Sequence, residues 1–293
     1  MVGVAAFMAV VLLWPANGPS LAEVSAPAAP ATTTTTLSPE VTIADEADLA
    51  PMDPLTTTIA TAAFARLEVR ETISEGEPTH PRQQLSDSAR WPAYTPERPG
   101  APEIPSLADG VTGRYRSEGG WVFTNPDPFG FNAVFVAIER RGDWIRVLIP
   151  VRPNGTQGWV RASEVTLTTT RARVEVSLSQ RTLRVFDGEN QIIEAPVVIG
   201  KATSPTPTGR FYFTDSVDKR VGSVYGPGIV PISGFSQAMD RFSSGVPAIA
   251  LHGTNRPDLL GSAASNGCVR MDDNTINLLR STLPMGTPVD IAA

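Results

Sequence analysis

Beyond residue 110 the chain is written in short alternating runs cut by Gly, Pro and Asn, and only one stretch has helical spacing, which confines it to a mainly β fold. Trp121-Val122-Phe123, residues 133–138 and residues 144–149 are three such runs, punctuated by Pro126-Asp127-Pro128, Arg141-Gly142-Asp143 and Pro153-Asn154-Gly155. Farther on, Val174, Val176 and Leu178 alternate, and Leu183 and Val185 keep the period. Asp187-Gly188 is a strong hairpin signal before a returning strand at 192–199, with further strands expected at 210–214 and 246–251. The one helix is expected over 273–283: Asp272 or Asp273 caps it, Ile276, Leu279 and Leu283 stand at helical spacing, and Pro284 stops it.

Charge and proline divide the same 293 residues, a length that suits about two domains. Residues 1–109 hold 14 acids and 5 bases, a net −9, together with 14 of the 27 prolines. Residues 110–171 are net +3, and residues 172–293 are neutral. Between residues 23 and 109 the only aromatics are Phe64, Trp91 and Tyr94, too little apolar area to offset chain entropy, so 23–109 reads as a disordered, acidic Pro/Thr/Ala-rich linker. Within it, residues 59–73 are weakly amphipathic and suggest a short helix. Residues 2–14 are apolar, and Ser20-Leu21-Ala22 has the small-x-small pattern of a cleavage site, so 1–22 reads as an export signal or a retained membrane anchor. No later apolar run reaches 18 residues, which excludes a multi-span membrane protein. The formal charge of −6 argues against a nucleic-acid binder. One cysteine excludes an intrachain disulfide framework, two histidines make a His-rich metal site implausible, and no cofactor is expected.

Residues 110–168 form a small β domain. Its order of a turn, Gly142-Asp143-Trp144, a strand, the Asn154-Gly155 turn and then Gly158-Trp159-Val160 resembles the bacterial SH3-like barrel, where a last Gly-Trp-Val strand closes the fold. Its positive charge suits an anionic wall polymer, and a passive spacer role fits it equally.

The chemistry lies in 172–293. His252 closes an apolar strand, Ala248-Ile249-Ala250-Leu251-His252-Gly253, and Cys268 follows 16 residues later in Ser265-Asn266-Gly267-Cys268-Val269-Arg270-Met271. A cysteine accepts an acyl group when a nearby base takes its proton, and His252 is the credible partner because His80 lies in the tail. Gly267 lets a substrate carbonyl approach the backbone, whose N–H groups can hold an oxyanion. By spacing alone, Cys268 could equally be a small buried hydrophobe and His252 a hydrogen-bonded strand end.

The flanks narrow this choice. His252-Gly253-Thr254-Asn255 followed by Ser265-Asn266-Gly267-Cys268-Val269-Arg270-Met271 resembles the signature of the L,D-transpeptidase catalytic domain, the YkuD-like family. Upstream, Ile199-Gly200, Thr206-Pro207-Thr208-Gly209 and the segment 230–235 agree with it. The resemblance implies a β-rich catalytic domain over 172–293 with Cys268 as nucleophile, His252 as base, and the Gly267 and Cys268 N–H groups at the oxyanion position. It implies peptidoglycan tetrapeptide stems as donor and acceptor, a thioacyl-enzyme, release of D-alanine and 3→3 cross-links outside the cytoplasm at the cell wall. Carbapenem β-lactams are the implied covalent inhibitors, and neither nucleotide nor metal is needed. Arg270 either holds a substrate carboxylate or pairs structurally with Asp272 or Asp273. Ser265, Asn266, Tyr225 and Phe235 are candidate cleft residues, the two aromatics being equally suited to the core. Asn266 stands where many family members carry a second histidine, which weakens a two-histidine mechanism but not the His252–Cys268 pair. Two other readings remain: an L,D-carboxypeptidase that uses water as acceptor, and a non-catalytic wall-binding protein.

Overall fold

The computed structural model describes residues 55–73, 83–86, 114–115, 119–127, 129–220, 222–242 and 245–293. The export segment expected at 1–22, most of the 23–109 linker and His80 lie outside the described residues.

Val134–Arg141 is the hub of a six-stranded antiparallel sheet. On one side it pairs with Trp144–Leu148, which pairs with Gln157–Arg161; on the other it pairs with Thr57–Ala62, which pairs with Val165–Thr170. Gln83–Gln84 joins the far end of the hub strand. Arg66–Val69, Trp121–Thr124 and Arg114–Tyr115 form a second, three-stranded antiparallel sheet. Leu67, Val69, Phe123, Phe135, Ile145 and Val160 fill the core between the sheets, with the Phe123 and Phe135 rings edge to face at 5.1 Å.

Two expectations are corrected here. The β domain does not begin at residue 110, because Thr57–Ala62, Arg66–Val69 and Gln83–Gln84, all within the expected linker, are strands of its sheets. The short helix suggested over 59–73 is two of those strands. The physical reason is pairing: Thr57–Ala62 lies between two neighbours, so Thr-rich residues with weak helical preference have both edges hydrogen-bonded.

The C-terminal domain is mainly β, as its alternation implies. A five-stranded sheet runs in the order Asn190–Pro196, Thr182–Asp187, Ala172–Ser177, Pro288–Ala292, Gly209–Tyr212. The Asp187-Gly188 signal makes a two-residue hairpin closed by Asp187 opposite Asn190, with Gly188 at φ +57°. Pro288–Ala292 pairs parallel to Ala172–Ser177 and antiparallel to Gly209–Tyr212. Across the latter contact Arg210, 4% exposed, forms a two-pronged ion pair with Asp290 at 2.6 and 2.8 Å. A four-stranded sheet, Val217–Asp218, Gly228–Phe235, Ala248–His252, Val269–Arg270, shares one apolar core with it.

The helix Asp273–Thr282 starts where its cap signal stands: Asp272 Oδ1 accepts from the N–H groups of Asn274 and Thr275, each at 3.0 Å. Ile276, Leu279 and Leu283 are buried and join the core, while the opposite face is solvated.

The two domains meet in a packed seam. Ile59, Val134, Val136, Ile138 and Leu148 from one close over Tyr212 and Met285 from the other, and Tyr212 Oη donates to the Leu148 carbonyl at 3.1 Å. Asn154 exchanges hydrogen bonds with the backbone of Phe235, donating at 2.8 Å and accepting at 2.9 Å. Arg152 donates to the Met239 carbonyl at 2.6 Å and also to that of Ser236. Asp127 and Asp215 face each other in the same seam.

Candidate active site

The site follows from one parallel strand pairing. Leu251 lies opposite Val269 and His252 opposite Arg270. Successive side chains on a strand alternate in direction. Ile249, Leu251 and Val269 turn into the core, each at most 1% exposed. Ala250, His252, Cys268 and Arg270 therefore share the other face. The structure thus sets Cys268 just before the strand Val269–Arg270, two residues ahead of Arg270, with its sulfur at the backbone of Ala250 on the strand that ends in His252.

The loop that carries Cys268 is held from two sides. Ser265 Oγ accepts from the Gly267 N–H at 3.1 Å and donates to the Cys268 carbonyl at 2.6 Å, closing the turn on itself. Thr206 Oγ1 accepts from the Gly200 N–H and donates to the Gly267 carbonyl, both at 2.8 Å. Gly267 sits at φ +117°, and a Cβ there would meet Ile249 Cδ1 at 3.0 Å, so conformation and space both demand glycine.

His252 is 2% exposed and its Nδ1 lies 2.6 Å from the Gly253 carbonyl. A carbonyl only accepts, so Nδ1 carries the proton and Nε2 keeps its lone pair. Burial drives the imidazole pKa down to about 4; the Gly253 hydrogen bond opposes that shift and the Arg270 charge adds to it. At neutral pH His252 is therefore an uncharged base of fixed tautomer. Tyr225 stands over it edge to face, ring centroids 5.0 Å apart.

Cys268 reaches solvent in part, yet the surrounding protein desolvates its sulfur and pushes the thiol pKa up, against weaker opposing effects of the Ala250 backbone and the Arg270 charge. The resting pair is consequently thiol and neutral imidazole. Both shifts disfavour conversion to thiolate and imidazolium in the absence of substrate.

Arg270 makes neither of the two structural pairs expected for it among the described residues. Asp272 is spent on the helix cap, Asp273 Oδ1 accepts from the Thr254 N–H at 3.4 Å, and Arg270 forms no ion pair with a carboxylate among the described residues. Its Nε is buried without a hydrogen-bond partner among those residues. Buried donors are nearly always satisfied, so an unanswered one this close to Cys268 is a feature that packing alone does not explain.

Three expected site residues take other places. The Gly267 N–H is committed to Ser265 Oγ, so it is not an open oxyanion donor; the Cys268 N–H has no partner among the described residues. Ser265 is 1% exposed and braces the loop instead of lining a cleft. Phe235 is 2% exposed in the seam, because the strand that carries it ends against Asn154. Asn266 is solvent-facing. Sequence reading missed the part played by Thr206, although its motif Thr206-Pro207-Thr208-Gly209 was visible. Among the described residues no group of three or more His, Cys, Asp or Glu is arranged to hold a metal ion.

A protein described as L,D-transpeptidase YkuD from Bacillus licheniformis is 31% identical over 119 residues, covering 41% of this chain and 64% of that protein. The protein of the same description from Bacillus subtilis is 30% identical over 118 residues, 40% of this chain and 64% of its own length. The chain thus spans under two thirds of the length of these curated relatives. A solved L,D-transpeptidase from Mycobacterium tuberculosis H37Rv aligns with 62% of this chain and 77% of its own at 15% identity and TM-score 0.37. Residues 171–291, which contain every residue of the Cys268 site, match the family model of the L,D-transpeptidase catalytic domain, YkuD.

Proposed function

We propose that this chain is a cysteine-dependent L,D-transpeptidase that acts on peptidoglycan tetrapeptide stems and forms 3→3 cross-links. What carries the reading is the set of three groups on one strand face: Cys268, the neutral base His252 with Nδ1 fixed on Gly253, and Arg270 with no carboxylate partner among the described residues.

The donor's terminal D-alanine carboxylate pairs with the Arg270 guanidinium. That pairing removes part of the positive field that depresses the imidazole pKa, so the base strengthens when substrate is in place. Cys268 Sγ then attacks the carbonyl of the third stem residue while its proton passes to His252 Nε2. The carbonyl π electrons move to oxygen, where the Cys268 N–H donates to the oxyanion. Collapse breaks the peptide bond and expels D-alanine, whose amine takes the proton from His252. The side-chain amine of a second stem attacks the thioester and gives a proton to His252. The thiolate leaves and recovers that proton. The bond energy comes from the donor peptide, so no nucleotide enters.

This reading places the protein outside the cytoplasm, with residues 1–22 as export signal or anchor, and takes the β domain docked on the catalytic one as SH3-like. Incubation of the full chain with tetrapeptide stems, followed by mass spectrometry of the muropeptides, tests it. Cross-linked dimers are expected. Trimmed monomers alone would make water the acceptor and the enzyme a carboxypeptidase, and unchanged stems would leave a wall-binding protein without catalysis.

A further inference from the structure

One surface of the N-terminal domain combines charge with aromatic support. Arg141 pairs across strands with Trp144, Trp144 with Arg161, and Arg146 with Trp159, while Arg70 bridges to Trp159. Paired residues share a side of a sheet, so the four arginines and two tryptophans stand on one side. Arg70 and Arg161 lie over the Trp144 ring at 4.7 and 4.4 Å, and Arg141 and Arg146 lie over Trp159 at 5.5 and 5.8 Å. Each indole therefore carries two guanidinium groups, and the two are only 2% and 8% exposed beneath them.

The acid within this cluster is Glu139, fully buried, 3.2 Å from Arg141 and 3.3 Å from Arg146. Counted over the ring contacts and ion pairs of the described residues, four arginines stand against this one glutamate. Arg70 and Arg161 have no carboxylate partner among the described residues. Cations gathered this closely repel one another, and the rings, together with Glu139 beside Arg141 and Arg146, hold each side chain in place. Such fixing has a benefit for binding: a guanidinium fork already oriented loses less freedom when it grips an anion.

We propose that this face binds a linear phosphate polymer, whose successive phosphates are held by the forks of Arg70, Arg141, Arg146 and Arg161. Phosphate matches the planar fork in two-pronged fashion, and a repeating anion suits three cations spread across three adjacent strands with Arg70 bridged beside them. A nucleic acid fits less well, because both indoles are covered by guanidinium groups and leave no open ring for a base to stack on.

The test uses the full chain and inorganic polyphosphate, read by tryptophan fluorescence at low and raised salt. Wild type is expected to bind, with affinity falling as salt rises. The double variant Arg141→Gln/Arg161→Gln should bind at least about tenfold more weakly, and Arg141→Lys/Arg161→Lys should fall between, since lysine keeps charge but not the fork. Arg184→Gln/Arg256→Gln, two arginines of the catalytic domain, should bind like wild type. Melting by circular dichroism checks that each variant is folded. Absence of polyphosphate binding, or an equal loss in the Arg184/Arg256 control, would overturn the proposal. So would polyglutamate binding as tightly as polyphosphate, which would make the face a general anion surface, or single-stranded DNA binding more tightly per phosphate, which would mean an open stacking ring.

Discussion

The domain seam and the Cys268 face are both buried in large part and both rich in polar groups, yet they treat those groups in opposite ways. In the seam, Asn154 answers both backbone groups of Phe235, Tyr212 answers Leu148, and Arg152 answers two carbonyls. On the Cys268 face, Arg270 Nε and the Cys268 N–H remain unanswered by the described residues, and His252 keeps a bare Nε2 lone pair. Saturated hydrogen bonding serves rigidity, whereas open donors and acceptors cost stability and are kept where a visiting molecule completes them. Substitutions on the two surfaces should therefore fail in different ways.

The largest effect belongs to the nucleophile. Cys268→Ala and Cys268→Ser should each abolish cross-linking while circular dichroism remains native, because a serine hydroxyl is far too weak an acid for a base of pKa about 4. A carbapenem should add once to wild type and not to Cys268→Ala by intact-protein mass spectrometry. A serine variant keeping a tenth of the activity would remove the nucleophile role. His252→Ala comes next, at about 10²- to 10⁴-fold in kcat. Since the imidazole pKa is near 4, the acid limb of kcat/KM should lie well below the 6.5 of an ordinary histidine. An acid limb at 6.5 would show that another group is the base.

Arg270→Gln should lower kcat/KM by about 10- to 100-fold, the loss of a charged hydrogen bond. It should also move the acid limb upward, because the cation that depresses the imidazole pKa is gone. An unchanged limb with an equal loss would assign Arg270 to packing alone. Turning to the seam, Asn154→Ala should cost about 1–3 kcal/mol in thermal or denaturant unfolding and leave the acid limb where it was. A variant that kept its stability but moved the limb would erase the distinction between the two surfaces.

The remaining effect is a slope with pH. Desolvation, reinforced by Asp127, lifts the Asp215 pKa from 3.8 to about 7, with Thr214 opposing. Between those values the folded protein holds a proton that the unfolded chain has lost, so this carboxyl's contribution to stability declines as pH rises. His252 works the other way, since its folded pKa is lowered: its contribution is complete above 6.5 and is lost as pH falls toward 4. Asp215→Asn should leave only the histidine slope, with stability rising from pH 4 to 6.5 in denaturant titrations. A flat or falling curve would mean that Asp215 does not hold that proton.

These contrasts were unequally legible in the sequence. The hairpin at Asp187-Gly188 and the capped helix after Asp272 are local, so pattern and turn chemistry sufficed. Cys268 and His252 stood out as rare residues in informative flanks. The strand Thr57–Ala62 did not, because it is secured by Val165–Thr170, about a hundred residues later, and its Thr and Ala side chains carry little alternation of their own. The loop donors misled for a related reason. Gly267 looks like an oxyanion donor from its position, but the hydroxyl two residues earlier captures its N–H, a competition settled only by the turn's geometry.

The parallel pairing of Pro288–Ala292 with Ala172–Ser177 has a consequence for timing. A chain emerging N-terminus first offers Ala172–Ser177 and Gly209–Tyr212 long before the strand that must lie between them exists. Their facing edges stay open until it arrives, and the Arg210 charge waits for Asp290. Cys268 and His252 are made earlier than that strand, so the core of the C-terminal domain is completed only after both have been synthesised. The C-terminal strand is therefore the closing piece of this sheet, and the fold around Cys268 and His252 is complete only once it is in place.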